Sequence, residues 1–551
     1  MHRFVPTFAV AIALAASAMG GRVSAQDASA HPIDDPTVVE ACSRCHVQDD
    51  EGRLSRISWL RKTPEGWQTS LVRMMALHGV SVAADEARAI VRYLSNTQGL
   101  APEELRPGLF EVERRLIDYD YPGDSGVEFT CIQCHSMGRV ITQRRTEDEW
   151  ALLLDTHRAL YPLVDFQAFR LASGGGGDGE RHPMDVAVEH LAEAFPLETP
   201  EWSAWSATMR SPRLAGAWAL SGYEPGKGPI HGSVTITADP DDPEAFTTRT
   251  SYVYVESGER VERTGQALVY TGYQWRGRSN PGQDSELREV MLVERDLQTM
   301  AGRWFSGAYD EFGPDITLKR VGPGPLVSGV HPTALARGAT TTVTLYGANL
   351  QDAAQDLDFG EGVAVRSVES RGAGVATVQI DVASDARIGR RDLYAGGATL
   401  EAAVVVHDGV DRIEVTPLTG LARTGGENFP KGYQTFEAIG YDDGPDGEPG
   451  NEDDLVLGRV DVTWRVEEYA AVYGDDDLGF VGRILQDGTF EPAADGPNRD
   501  RSGSRDNIGD VWVVATHRSG TGEELSARAH LVVTVPLYMR FNPWPGPEDT
   551  R

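Results

Sequence analysis

The sequence predicts a multidomain protein that is α-helical over its first third and all-β over the rest, and three observations carry that prediction. The chain has 551 residues, which at roughly 150 residues per domain is enough for about four domains. Apolar residues recur with a helical period up to about residue 200, and from Glu201 onward the pattern changes to strand-like alternation. The four cysteines form two copies of one pentapeptide, both within the helical third. With 40% hydrophobic and 24% charged residues, most of the chain can bury cores, which excludes global disorder. Lys and Arg number 51 against 83 Asp and Glu, and the formal charge of −32 would repel polyanions, excluding general binding to nucleic acid or anionic membranes.

The first 25 residues read as a signal peptide. His2 and Arg3 give a weakly basic start, Phe8 to Ala18 is apolar and small, and Val23-Ser24-Ala25 is a small-residue cleavage pattern before Gln26. The expected mature chain begins at Gln26 and is exported to a bacterial periplasm. The apolar run is too short to span a bilayer, and no later segment reaches the roughly 18 to 20 apolar residues a span requires.

Four cysteines in an exported chain would ordinarily suggest two disulfides. Their spacing points elsewhere. Cys42-Ser43-Arg44-Cys45-His46 and Cys131-Ile132-Gln133-Cys134-His135 are two copies of C-x-x-C-H, the attachment signature of c-type haem. The thiols add across the haem vinyl groups and the adjacent imidazole becomes the proximal iron ligand. Zinc or thioredoxin-like chemistry is disfavoured, since neither unit holds a second Cys pair at zinc spacing.

An internal repeat identifies candidate distal ligands. Arg61-Lys62-Thr63-Pro64-Glu65-Gly66-Trp67 aligns with Arg144-Arg145-Thr146-Glu147-Asp148-Glu149-Trp150, after which Leu71 falls on Leu154, Met74 on His157 and Leu77 on Leu160. Thr63 and Thr146 read as N-caps of amphipathic helices. Trp67, Leu71 and Met74 then share one helix face, as do Trp150, Leu154 and His157. The expected iron ligands are His46 and Met74 for the first haem, with Met75 as the fallback, and His135 and His157 for the second. Against this stand a space-filling core methionine at 74, a partly exposed histidine at 157, and His78, His182, His190 and Met137 as rival ligands. His182 follows the glycine-rich stretch Ser173 to Gly179, and His190 aligns with Tyr93, which makes it a structural residue. Ala84 to Leu94 and Asp185 to Leu191 read as closing helices. Two cytochrome c units are expected, at 26–118 and 119–200. Methionine ligation raises a haem potential relative to bis-histidine ligation, so electrons should flow from the second haem to the first.

Beyond residue 200, Ser233 to Thr237, Tyr252 to Val255, Ala267 to Tyr270 and Ile316 to Leu318 are β-branched or aromatic segments separated by Gly, Pro and Asp. Residues 201–322 are expected to form an antiparallel β-barrel filled by Trp218, Trp275 and Trp304. After the Pro323 to Pro325 break, residues 323–409, including the run Thr341 to Leu350, read as a β-sandwich that resembles immunoglobulin-like domains of the transcription-factor type. A second such sandwich is expected at 410–551, with strands at Arg412 to Val415, Val460 to Val466, Val511 to Ala515 and Ala529 to Val535. Its acidic segment Asp442 to Asp454 could wrap Ca²⁺, but the spacing departs from an EF-hand loop, and a solvated or partner-contacting loop is the preferred reading. No Ser/His/Asp arrangement, phosphate-cradling glycine loop or H-E-x-x-H motif is present. His231, His331, His407, His517 and His530 are scattered, more in keeping with surface or hydrogen-bonded residues than with ligands.

A signal peptide, two Cys-x-x-Cys-His units bearing the Thr-x-x-x-Trp-x-x-x-Leu-x-x-Met/His repeat, and three β domains, in that order, resemble the α subunit of quinohaemoprotein amine dehydrogenase over the whole chain. The haem motifs alone are shared by many cytochromes; their combination with the long β tail makes the match. The resemblance implies an oxidoreductase that converts primary amines to aldehydes and ammonia. It further implies a cysteine tryptophylquinone on a small γ subunit, a propeller β subunit, and a blue-copper protein or soluble cytochrome c as electron acceptor. Cys42, Cys45, His46, Cys131, Cys134 and His135 carry over by motif, Met74 and His157 only through the repeat. The chain would be the electron-transfer subunit, with no catalytic residue of its own. The competing readings are a stand-alone di-haem carrier or surface-binding protein, and a di-haem peroxidase.

Overall fold

The structure, a computed structural model, describes residues 30–110, 119–161, 163–167, 181–353, 356–470, 476–501, 506–519 and 522–538. The signal-peptide segment and the stretch Ser173 to Gly179 lie outside the described residues.

The helical third consists of two similar units. In the first, α1 (Pro36–Cys42) is capped by Asp35, whose carboxylate accepts from the amides of Thr37 and Val38. Helix α2 (Pro64–His78) is capped by Thr63, whose hydroxyl accepts from Gly66 N at 3.1 Å, and ends at Gly79 in the left-handed region. Helix α3 (Ala84–Thr97) closes the unit. A short helix, α4 (Pro102–Leu105), leads into the second unit. There α5 (Ser125–Cys131) is capped by Asp124, α6 (Gly138–Ile141) follows, and α7 (Glu147–Leu160) is capped by Thr146. The short α8 (Val164–Gln167) comes next, and α9 (Pro183–Ala194) closes the unit. Each cap satisfies amides that the first helical turn leaves without partners. Thr63→Ala should therefore lower stability by about 1 kcal/mol, checked by denaturant unfolding, while Thr63→Ser should be close to neutral.

The repeat has a physical basis in these contacts. Trp67 and Trp150 are both buried, and each indole N–H donates at 3.2 Å to a carbonyl of the closing segment, that of Gln98 or Phe195. Lys62 and Arg145 each lie over the indole of their own unit, 5.3 and 5.5 Å from the ring centre. The strands preceding the caps, β1 (Leu60–Lys62) and β2 (Gln143–Arg145), pair antiparallel with Arg61 opposite Arg144. Equivalent positions of the repeat thus meet across the junction, as a two-fold arrangement requires.

Strands β3 (Gly216–Glu224), β4 (Gly228–Ala238), β5 (Ala245–Tyr254), β6 (Arg260–Tyr270), β7 (Gln274–Ser279), β8 (Leu287–Val293), β9 (Thr299–Phe305) and β10 (Asp315–Arg320) form a closed antiparallel barrel. β10 pairs back onto β3 with Leu318 opposite Leu220, which leaves no free edge. Trp218, Trp275 and Trp304 are buried in its core, the Trp275 indole donating to Glu289 at 2.9 Å. The strands begin later than the sequence suggests: Pro200–Ser206 is a helix, α10, because Thr199 caps it and Pro200 occupies its first turn. Trp202 and Trp205 on α10, with Leu100, Leu105 and Leu109, join the core of the barrel, so the helical part and the barrel share one apolar interior.

Two four-stranded sheets follow. Leu326–His331, Thr340–Ala348, Val375–Val382 and Val363–Gly372 make one; Ala334–Ala336, Ala398–His407, Gly389–Ala395 and Leu357–Asp358 make the other. Val343, Leu345, Val378, Leu393 and Val404 are among the buried residues between them. The run from Thr341 stays extended only to Ala348, since Asn349 turns the chain and Leu350–Ala353 is a helical turn. In the last part, Thr419–Arg423, Glu524–Thr534, Gly509–Arg518 and Thr463–Glu468 form a four-stranded sheet over Phe436, Trp464 and Phe490. Val460 and Val462 precede the strand and pack against that core from its margin. A three-stranded sheet, Arg412–Thr416, Glu437–Asp442 and Leu455–Arg459, carries the acidic segment as a hairpin loop.

Candidate functional site

The two Cys-x-x-Cys-His motifs occupy equivalent places. Each begins at the last residue of a short capped helix, α1 or α5, seven residues after the capping aspartate. The turn after α1 folds back so that the amides of Cys45 and His46 donate to the Cys42 carbonyl. The first thiol of each pair is half-buried against its unit's core and the second is exposed. Burial pushes Cys42 and Cys131 up to about 11, so both stay protonated at neutral pH. Among the described residues, which include all four cysteines, no disulfide forms.

The three histidines expected as ligands share one hydrogen-bonding pattern. His46 Nδ1 lies 2.7 Å from the Ser55 carbonyl, His135 Nδ1 2.8 Å from that of Ser136, and His157 Nδ1 2.8 Å from that of Leu153. A carbonyl only accepts, so each Nδ1 carries the proton and each Nε2 presents a lone pair. This arrangement fixes tautomer and ring orientation in metal-binding histidines. Burial holds His135 below the usual histidine range, which favours its neutral form.

His135 and His157 face each other with ring centres 6.2 Å apart and planes inclined at 48°. Two metal–imidazole bonds of about 2.0–2.1 Å, with about 1.1 Å from each nitrogen to its ring centre, add to about 6 Å. The observed separation is of the size that two imidazoles sharing one metal ion require. In the first unit Trp67 and Leu71 are buried on one face of α2 and Met74 follows one turn later, half-exposed, in the register that His157 has on α7. Met75 is turned outward and is 37% exposed.

The rival ligands are engaged elsewhere or exposed. His190 Nε2 meets the Tyr121 hydroxyl at 2.6 Å, and the side chain of His182 caps α9 by accepting from Met184 N. Met137 is fully buried in the core of the second unit, and His78 is exposed at the end of α2. Large apolar side chains remain exposed in both units: Val47 and Leu77 in the first, Phe129, Leu160, Leu163 and Phe166 in the second. Exposed apolar groups of this size suit an apolar macrocycle or a docking surface.

Elsewhere the sequence candidates are taken up structurally. Asp443 and Asp454 of the acidic loop bind Arg412, and Asp442 accepts from the amides of Asp408 and Gly444. No cluster of His, Cys, Asp or Glu with metal-holding geometry occurs among the described residues. His231 is buried and stacks on Tyr346 with ring centres 4.4 Å apart, and burial lowers its pKa to about 4. His331 is half-buried and also falls below the usual range. His407 and His517 are tied to backbone carbonyls and His530 to Asp510 at 2.9 Å.

Sequence reasoning missed the junction charges. Glu104 receives both terminal guanidinium nitrogens of Arg61 at 2.9 Å and Arg144 Nε at 3.0 Å, all three side chains being under 10% exposed. The repeat held half the signal, because Arg61 and Arg144 align; Glu104 lies in the linker and has no counterpart.

Four family models match the chain in order. They are quinohemoprotein amine dehydrogenase α subunit, haem binding, over residues 34–202; domain II over 211–321; domain III over 325–408; and domain IV over 413–545. No curated protein matches. Among solved structures, a redesigned β-barrel aligns at 11% identity over 20% of this chain and 92% of its own, with a TM-score of 0.17. The Bacteroides ovatus mixed-linkage glucan utilization locus protein SGBP-B, solved with a mixed-linkage heptasaccharide, aligns at 11% identity over 57% of this chain and 60% of its own, with a TM-score of 0.18. A mouse clustered protocadherin fragment aligns at 14% identity over 43% and 75%, with a TM-score of 0.16. Among the described residues no helix is long and apolar enough to cross a membrane.

Proposed function

Because the chain belongs to the quinohaemoprotein amine dehydrogenase α-subunit family, we propose that it is the di-haem electron-transfer subunit of that oxidoreductase. The observation that carries this reading is the pair His135 and His157, 6.2 Å apart with both Nδ1 protons committed to backbone carbonyls. In this reading Cys42 and Cys45 hold one haem c and Cys131 and Cys134 the other, with His46 and Met74, and His135 and His157, as iron ligands. Bound haem supplies reversible one-electron Fe(III)/Fe(II) chemistry.

The chain's contribution is to hold and tune these centres. The carbonyls of Ser55, Ser136 and Leu153 hold the Nδ1 protons, which would leave each Nε2 lone pair free for a haem iron. Oxidation of a primary amine with water to an aldehyde and ammonia releases two electrons and two protons, and two electrons match the two one-electron centres the motifs can hold. A cysteine tryptophylquinone on a small γ subunit, beside a propeller β subunit, would deliver them. A blue-copper protein or soluble cytochrome c would collect them in the periplasm, after removal of residues 1–25. We divide the mature chain into cytochrome c units at 26–118 and 119–200, the barrel at 201–322 and immunoglobulin-like sandwiches at 323–409 and 410–551. The β domains would serve as the docking shelf.

A denaturing gel of the natively purified complex, stained for haem and for redox-cycling quinone, tests the assignment. A haem-positive band of this chain and a separate small quinone-positive band are expected. A haem band alone from an intact preparation would favour an independent carrier or peroxidase. The first-haem assignment has its own test: Met74→Leu should abolish the weak absorption at about 695 nm that methionine-ligated Fe(III) haem shows, and Met75→Leu should leave it.

A further inference from the structure

The two-stranded ribbon at the junction of the helical units has two faces, since alternate strand residues point oppositely. Arg61 and Arg144 point to Glu104. On the other face lie Lys62 and Arg145, both buried at 8% and 3% exposure, and their surroundings are unbalanced. The charged groups that reach them are Arg56, Arg73 and Glu149, and each other. Two buried cations, Lys62 and Arg145, and two partly exposed ones, Arg56 and Arg73, thus share one carboxylate among the described residues. Glu149 is itself engaged by Arg56 at 2.9 Å and lies 3.9 Å from Arg145. Among the described residues Lys62 Nζ donates to the Ser70 hydroxyl at 2.7 Å and lies over the Trp67 ring, and Arg145 bonds the Gln143 side-chain oxygen. Burial and the neighbouring Arg145 and Arg73 push the Lys62 ammonium well below its usual range, and burial brings Arg145 down to about 9.

Cations kept out of water without counterions are costly, and proteins retain them where an anion completes the site. Ser70, which holds the Lys62 ammonium, lies one helical turn before Met74 on α2, so the cluster borders the distal side expected for the first haem.

We propose that Lys62 and Arg145 form a buried carboxylate-binding site at the junction of the two units, filled by haem propionate. The proposal rests on the di-haem reading above. Its test is an infrared pH titration of the purified, haem-loaded protein carrying ¹³C in the propionate carboxyls. In the unsubstituted protein a propionate should stay ionised below the ordinary carboxyl range of about 4. Lys62→Gln and Arg145→Gln should each raise its protonation midpoint by about one pH unit or more, and Arg145→Lys should largely retain the original value. Propionates that titrate normally in the unsubstituted protein, or that are indifferent to both glutamine variants, would overturn the assignment. So would inorganic phosphate binding that Lys62→Gln abolishes while the propionate band stays unmoved, since the site would then hold a free anion. Absence of covalent haem from the unsubstituted protein would instead defeat the di-haem reading.

Discussion

His157→Met should raise the midpoint potential of the second haem by on the order of 0.1 V or more, within the roughly 0.8 V range that axial ligands set. The substitution exchanges a strongly donating imidazole, held by the Leu153 carbonyl and facing His135, for a thioether that favours Fe(II). Both centres would then be His/Met sites of similar potential, and the driving force from the second to the first would vanish. Potentiometric titration should show two separated midpoints in the unsubstituted protein converging in the variant, with absorption at about 695 nm growing. His190→Met should change neither, since that side chain bonds Tyr121. An unchanged second midpoint in His157→Met would remove His157 from the ligand set.

Glu104→Gln should destabilise the helical part by about 3–5 kcal/mol, the range for breaking a buried ion pair from one side. Its carboxylate separates Arg61 and Arg144, which the β1–β2 register sets opposite each other. A neutral amide would leave two buried guanidinium groups with little between them. Burial alone would raise the Glu104 pKa, but the hydrogen bonds from Arg61 and the charges of Arg61 and Arg144 outweigh it and hold the carboxyl below the usual 4.5. A depressed folded pKa stabilises the fold above the unfolded value, and that contribution is lost as pH falls through the folded one. The unsubstituted protein should therefore lose stability progressively below about pH 4.5, and Glu104→Gln should be less stable at pH 7 with a flatter acid limb. Denaturant unfolding at pH 7 and pH 4 checks both parts. Equal stability of the two proteins at pH 7 would show the triad to be energetically idle.

Features built from local signals were legible in the sequence. Thr63 and Thr146 cap the helices they were expected to cap, and Trp218, Trp275 and Trp304 fill the barrel. Each of these depends on residues a few positions apart or on simple alternation. Features built from distant pairings were not legible. Glu104 lies 43 residues from Arg61, and Arg412 is 31 residues from its partner Asp443 in the acidic loop; nothing in a single sequence links them. The helix Pro200–Ser206 had its Thr-Pro signal, but the change to strand-like alternation in the sequence falls at Glu201, inside it. The candidate ligands fall between these cases. C-x-x-C-H is local, whereas pairing His135 with His157 rests on the repeat register across two helices, and their ring centres lie 6.2 Å apart.

In the proposed function this chain accepts the electrons of amine oxidation on two haems. Anaerobic titration of the natively purified complex with a primary amine, followed at the reduced-haem absorption bands, tests it most directly. Both haems should be reduced, the methionine-ligated one first, with two haem equivalents reduced per amine consumed once the quinone is re-oxidised. Haems that stay oxidised while amine is consumed, or a preparation in which amine is not consumed although both haems are present and reducible by dithionite, would contradict it.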